Sequence, residues 1–309
     1  MAVISLMSAK GAPGTTTVSL LLATLWPAPT ILLDADPLGG DVGLRLQRSD
    51  GRAMDPDRGL MSLLPAARRG LDPVTVAQHT QEAVGGQPVL VGLPGPAQAT
   101  AIAPLWPTLA DVFTKVPNAD MFVDVGQVQA RSDHLPLVEL SDMLLVVYRP
   151  TAWSALHTRR RIEALGEMLR ERDIQVGIVG VASAEQENDR VTAAAAIRNG
   201  LSWVRDYGGI AFDPKAVVMF EGSVVYRPER SLLARSGRTV AEKLYADLAG
   251  QVAVPVSLDD PALAGVSPED QPVEQPVGAT LPGAEPAPGH RGSGRRRGVR
   301  RLREAKDSR

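Results

Sequence analysis

The chain has no cysteine among its 309 residues. That excludes disulfides, thiolate-held zinc and iron–sulfur clusters, and it fits a reducing compartment. Aromatic residues are scarce, at 4%. The four histidines (His79, His134, His157, His290) are scattered without ligand spacing, so a metal site built on them is not expected. Asp133 and His134 are adjacent but have no evident nucleophile, and no Ser-His-Asp or paired-carboxylate hydrolase constellation stands out. No apolar run approaches the roughly 18 residues of a membrane span. The start carries no basic segment and its apolar stretch runs straight into a loop, so a signal peptide is not expected either. These absences predict a cytoplasmic protein. Internal repeats are lacking as well.

What is there is ordinary in bulk, with 44% apolar and 22% charged residues, and the length suffices for one large or two small domains. The net charge of −2 conceals an asymmetry. Between Gln251 and Pro288 there are six acidic residues (Asp259, Asp260, Glu269, Asp270, Glu274, Glu285) and no Lys or Arg. From Gly289 to Arg309 nine Lys or Arg face only Glu304 and Asp307, a net +7. The middle stretch is rich in Pro, Gly and Ala without apolar periodicity. Residues 251–290 therefore read as a disordered linker and 291–309 as a basic tip. Val299 and Leu302 are too little for an amphipathic membrane anchor. The tip is either a solubilising tail or a weak contact for nucleic acid, anionic lipid or an acidic partner.

Residues 1–250 alternate β-type apolar runs with helical patterns, which predicts one α/β domain: a doubly wound, mostly parallel sheet with helices on both faces. The strands are expected at Val3–Met7, Thr30–Asp34, Pro88–Leu93, Met121–Val125, Met143–Tyr148, Ile174–Val181 and Gly209–Phe212. Helices are expected at Thr16–Leu25, Leu60–Ala67, Ala97–Lys115, Ala152–Arg172, Arg190–Asn199 and Thr239–Leu248. Pro94-Gly95-Pro96 and Gly85-Gly86 mark turns.

In such sheets ligands bind at the carboxyl ends of strands. The first strand runs into Ser8-Ala9-Lys10-Gly11-Ala12-Pro13-Gly14-Thr15-Thr16-Thr17, followed by the apolar helical run Val18–Leu25. Strand, small-residue loop and helix are the parts of a phosphate-binding loop: backbone N–H groups wrap phosphate oxygens and the helix adds its positive end. The lysine that should follow the last glycine is Thr15, and a lysine stands instead near the front of the loop, at Lys10. The second strand ends in Asp34-Ala35-Asp36 and the fourth in Asp124-Gly126-type chemistry, an apolar strand closed by an aspartate suited to a metal-bound water. Together the three strand ends predict a nucleotide site.

Lys10-Gly-Ala-Pro-Gly-Thr-Thr-Thr17 resembles the deviant Walker A loop of the ParA/MinD family, K-G-G-x-G-K-[ST]. Asp34-Ala-Asp36 resembles its D-x-D segment, Phe122-Val-Asp124 its Walker B, and Ile210-Ala-Phe-Asp213-Pro214 its late strand end beside adenine. Ser223 to Gly237 looks like its closing helices. Leu38-Gly-Gly-Asp-Val-Gly and Arg58-Gly-Leu-Met-Ser-Leu-Leu look more like the CpaE/TadZ branch, associated with pilus assembly and secretion, than like plasmid-partition ParA.

The resemblance implies a P-loop NTPase that binds ATP with Mg²⁺ and dimerises around it. Lys10 aligns with the signature lysine that crosses to the partner's nucleotide. Gly11, Ala12, Gly14, Thr15, Thr16 and Thr17 form the cradle, with Asp213 and Pro214 at the base. Thr16 aligns with the Mg²⁺-ligating hydroxyl, Asp124 with the group that holds the metal through water, and Asp36 with the carboxylate that positions the attacking water. The departures are Thr15 for the in-loop lysine, Ala12-Pro13 where Pro13 removes an N–H donor, and Val179-Gly-Val-Ala-Ser183, which lacks the Asn-Arg pair often used around adenine.

The lysine's charge-assisted hydrogen bonds are worth about 1.5–3 kcal/mol each, and about 3 kcal/mol is a hundredfold in affinity. Nucleotide binding is therefore expected to survive better than hydrolysis, which depends on that charge. The leading expectation is a nucleotide-dependent positioning or assembly factor for a pilus or secretion apparatus, a weak ATPase at best. The alternatives are a partition ATPase holding nonspecific DNA, and a nucleotide-free scaffold. Arg159-Arg160-Arg161 fan around the predicted Ala152–Arg172 helix and cannot form one DNA-facing surface; Arg160 is expected to neighbour Glu163 and Glu167.

Overall fold

The computed structural model describes residues 1–10, 14–223, 225 and 227–252. The predicted basic tip, and the predicted linker from residue 253 onward, lie outside the described residues. In chain order the elements are β1 (Val3–Ser8), α1 (Thr15–Leu25), β2 (Thr30–Asp34), α2 (Val42–Arg45), α3 (Leu60–Ala67), β3 (Gln81–Glu82), β4 (Pro88–Leu90), α4 (Pro96–Ile102), α5 (Trp106–Phe113), β5 (Asp120–Asp124) and α6 (Leu135–Glu139). They continue with β6 (Met143–Tyr148), α7 (Ala152–Glu171), β7 (Gln175–Ala182), α8 (Glu187–Arg198), β8 (Val204–Ala211), α9 (Pro214–Val217) and α10 (Leu232–Val252).

The strands form one sheet in the order β3-β4-β2-β5-β1-β6-β7-β8, parallel except for β3, which pairs antiparallel with β4. Side chains alternate faces with period two, and the apolar ones divide accordingly. Ile31 and Leu33 of β2, Met121 and Val123 of β5, and Leu144 and Val146 of β6 join the core under α3 to α8. Leu32, Phe122, Met143, Leu145 and Val147 face the other way, into the core under α1 and α10. Near-continuous apolar strands are what a sheet covered on both faces requires. The same alternation turns Asp34 and Asp124 toward the α1 face, at the ends of adjacent strands where they are register partners.

Most predicted elements form as read, and the departures have identifiable causes. The single helix expected over Ala97–Lys115 is two, because Pro104 and Pro107 each lack the N–H that would continue the ladder and each starts a fresh turn. The strand expected at Gly209–Phe212 begins at Val204, five residues earlier than its apolar pattern suggests, with a register shift against β7 between Ile178 and Gly180. Phe212 lies outside it, about half exposed. The strand expected at Pro88–Leu93 stops at Leu90, and the Val91 carbonyl instead accepts the Leu60 N–H at 2.9 Å.

The helix expected over Thr239–Leu248 starts at Leu232 and runs through Gly237. A Cβ on Gly237 would come within 2.6 Å of Leu21 and 3.0 Å of Leu25, so this glycine lets α10 close on α1. The short elements α2, β3, α6 and α9 carry too few residues to leave a periodic signal.

Candidate functional site

β1 lies between β5 and β6, while the chain leaves it first for β2 on the far side of β5. The strand order therefore reverses around β1 and β5, and a crevice opens beyond their carboxyl ends. Gly14 caps α1 in the left-handed region (φ 113°), which starts the helix immediately beyond β1 with no side-chain cap. The first-turn N–H groups thus point outward from the crevice floor.

Two adjoining cavities meet at this loop. One, of about 390 Å³, is lined by Ser8, Gly14, Thr15, Thr16, Asp36, Asp124 and Gly126. The other, of about 330 Å³, is lined by Gly14, Thr17, Val18, Arg149, Phe212, Asp213, Pro214 and neighbours. The structure thus brings together eight predicted site residues around one loop: Gly14, Thr15, Thr16, Thr17, Asp36, Asp124, Asp213 and Pro214. Gly11 and Ala12 lie outside the described residues. Lys10 is exposed and turns elsewhere, into a third hollow with Arg131, His157, Arg160 and Arg161.

The first cavity holds unmet polar chemistry. Asp124 is fully buried; its Oδ1 accepts the Gly126 N–H at 3.1 Å, and its Oδ2 has no hydrogen-bond partner among the described residues. The Thr15 Oγ1 is likewise buried and without one. Burial pushes the Asp124 carboxyl above its ordinary range, against the opposite pull of the nearby Thr16 hydroxyl and the Gly126 N–H. Asp34 is raised further, by its own burial and then by the charge of Asp124. Its Oδ2 accepts the Val42 N–H at 3.0 Å and so ties the end of β2 to the start of α2. An orphaned buried carboxylate oxygen costs several kcal/mol unless a donor or cation meets it.

Asp36 takes a different position. Its Oδ1 accepts the Leu38 N–H at 2.9 Å, and its carboxylate lies directly over Gly126, where an added Cβ would stand 2.4 Å from it. Gly126 is in the left-handed region at φ 59°, so both backbone and space require glycine there. Thr16, Asp36 and Asp124 therefore converge from three elements on one crevice.

In the second cavity Asp213 caps α9 by accepting the Ala216 N–H at 3.2 Å. The Thr17 hydroxyl accepts from Arg45 at 3.4 Å, and Arg45 pairs with Glu221 at 3.3 Å. One site residue escaped the sequence reading. Arg149 follows β6 and stacks its guanidinium on Phe212, 4.7 Å from the ring centroid. Nothing in the local pattern distinguishes Arg149; only the β1–β6 pairing sets it beside the loop. The arginine run on α7 also differs from expectation: Arg159, not Arg160, pairs with Glu163, at 2.8 Å, because the i,i+4 spacing aligns them. Arg161 donates to the Val128 carbonyl.

Among the described residues no group of three or more His, Asp or Glu could hold a metal by itself, and no helix is long and apolar enough to cross a membrane. No protein-family model matches the chain, and no curated protein matches it in sequence. Solved structures do. A ParA family ATPase from Chlorobium tepidum superposes with a TM-score of 0.63 at 16% identity, over 79% of this chain and 98% of that one. The cell division ATPase MinD of Pyrococcus furiosus gives 0.60 at 20% identity, over 79% and 98%. The septum site-determining protein MinD of Pyrococcus horikoshii, solved with Mg-ADP, gives 0.59 at 18% identity, over 82% and 99%.

The chain therefore has the doubly wound, mostly parallel P-loop NTPase fold of the ParA and MinD ATPases. At these identities the likeness is one of fold.

Proposed function

We propose that this chain binds an adenine nucleotide with Mg²⁺ in the crevice beyond β1, β2 and β5, and dimerises around it as a nucleotide-dependent positioning or assembly factor. The observation that carries this reading is the pair of orphaned buried atoms, Thr15 Oγ1 and Asp124 Oδ2, flanking a glycine-started helix N-terminus. A phosphate chain and a divalent cation are the groups whose oxygens and charge such a site lacks. The residues present fit that ligand. The Gly14 to Thr17 N–H groups would hold the phosphates, Thr16 and, through water, Asp124 would hold Mg²⁺, and Asp213 and Pro214 would border the base. Asp36, beside Asp124, would orient water at the open end of the crevice. Bound Mg²⁺ would neutralise phosphate charge; without an in-loop lysine hydrolysis is slow or absent.

Lys10 turns away from the crevice, as a residue serving a second copy's nucleotide would. The MinD solved with Mg-ADP and the Cyanothece McdA solved with ATP support the ligand class, and the MinD of Aquifex aeolicus in complex with MinC supports a protein partner. The CpaE/TadZ-like assignment to a pilus or secretion apparatus rests on the Leu38–Gly43 and Arg58–Leu64 segments. Cytoplasmic location goes with that reading. Nonspecific DNA binding rests on residues 291–309, and among the described arginines Arg159 and Arg161 are already engaged within the fold.

Calorimetry of Mg-ATP and Mg-ADP binding to wild type and Lys10→Ala, with mass followed by light scattering, tests the reading. Micromolar ATP binding that drives dimerisation, lost in Lys10→Ala, is the expected outcome. No binding up to millimolar ATP leaves a nucleotide-free scaffold.

A further inference from the structure

The loop lacks its lysine, yet a cation reaches it from another strand. β6 pairs with β1 so that Val147 lies beside Ser8, which sets residue 149 alongside the loop. A Cβ built on Gly14 would stand 4.0 Å from Arg149 Nη2. The residue is held through its backbone and at two points of its guanidinium. The backbone N–H of Arg149 donates to Ser154 Oγ at 2.9 Å, its Nη1 donates to the Val181 carbonyl at 3.4 Å, and the guanidinium lies on Phe212. Such anchoring leaves little rotamer freedom to lose when a ligand arrives.

The position is one from which a positive charge reaches an anion held on the loop. A guanidinium beside the first turn of α1 faces the positive end of the helix, and burial pulls its pKa down. Next to it the buried Thr15 Oγ1 has no partner among the described residues. One ligand class suits both groups, because phosphate oxygens accept from a hydroxyl, from backbone N–H groups and from a planar guanidinium together.

We propose that Arg149 supplies the phosphate-facing positive charge that Thr15 lacks, so that this nucleotide site takes its in-chain cation from the end of β6 instead of from the loop. The inference rests on the nucleotide reading above. Arg149 lies on the Phe212 side of Gly14, in the second cavity, whereas Asp36, Asp124 and Thr16 line the first. Its charge therefore serves the phosphates shared by ADP and ATP and not the terminal phosphate. It strengthens binding of both nucleotides alike and does not restore hydrolysis.

The test is calorimetric affinity for Mg-ADP and Mg-ATP of the full chain as wild type, Arg149→Gln, Thr15→Lys and the double variant, with melting of each apo protein as a folding control. Arg149→Gln is expected to weaken both nucleotides roughly a hundredfold, leaving their affinity ratio unchanged. Thr15→Lys in that background is expected to recover most of the loss, while in wild type it adds little beside Arg149. Arg149→Met, which keeps the stem against Phe212, replaces the Gln variant should that one fail to fold. Wild-type binding with an undiminished Arg149→Gln overturns the proposal and leaves the nucleotide reading standing. Loss without rescue by Thr15→Lys also overturns it, assigning Arg149 to the shape of the pocket. Absence of wild-type binding overturns both.

Discussion

At the amino ends of the strands, Asp120 and Asp142 have their carboxylates occupied by the fold. Asp120 accepts the Ala2 N–H at 2.7 Å and the Trp26 Nε1–H at 2.8 Å, and Asp142 accepts the Val3 N–H at 2.7 Å. At the carboxyl ends Asp34 and Asp124 lie side by side on β2 and β5, both buried, with one Asp124 oxygen unmet. The amino-end hollow is the larger, about 510 Å³ against about 390 and 330 Å³. Cavity size thus does not separate the candidate ligand end from a structural one; the state of its polar groups does. Carboxylates that pin the entry of β1 are finished, whereas beyond its exit one oxygen of Asp124 is left short of a partner among the described residues.

The largest effect expected from breaking this contrast is at Asp120. Asp120→Ala leaves two donors without their charged acceptor, and hydrogen bonds to charged groups contribute about 1.5–3 kcal/mol each. A loss of about 3 kcal/mol or more is expected in urea denaturation, with nucleotide affinity of the folded protein unchanged; a merely local effect on affinity would erase the distinction between the ends.

Asp124→Asn should act in the opposite sense. Asp34 and Asp124 hold their protons more tightly folded than unfolded, so their contribution is fully present below the ordinary carboxylate range. It is lost as pH rises through about 6 for Asp124 and about 8 for Asp34. His79 and His134, whose pKa values burial lowers, tilt wild type and variant alike the other way, so the difference between the two isolates the carboxylates. The apo variant should gain on the order of 1–3 kcal/mol over wild type between pH 5 and 8, while losing Mg²⁺-dependent nucleotide affinity. Equal stability across that range would mean that the pair is already relieved.

Gly126→Ala sharpens the comparison without changing any charge. It forces a methyl into the Asp36 carboxylate from a left-handed backbone, at about 1–3 kcal/mol by denaturation. Because Asp36 is the group displaced, turnover should fall further than nucleotide affinity, as single-turnover measurement would read. The smallest effect belongs far from either end: Arg159→Ala removes an exposed i,i+4 pair with Glu163, worth about 0.3–0.5 kcal/mol, and should leave both binding and dimerisation intact.

Much of this site was legible because its parts are contiguous in the chain. The loop from Ser8 to Thr17, the Asp34-Ala-Asp36 turn and the aspartate closing β5 each sit at the end of a strand whose apolar run marks it. A parallel sheet collects such ends on one edge. Residue types and their spacing therefore determined the α/β class, the edge on which the candidate site residues gather, the missing lysine at Thr15 and the displaced one at Lys10. Tertiary structure alone decided which polar atoms are satisfied. Asp120 and Asp124 are the two ends of one five-residue strand, and only packing gives the first Trp26 as a partner and leaves the second short of one. It also decided that Arg149, carried by β6 and distant in sequence from the loop, stands beside Gly14, and that Gly237 belongs inside α10. Burial and strand pairing between distant segments set these outcomes, and local residue pattern does not encode them.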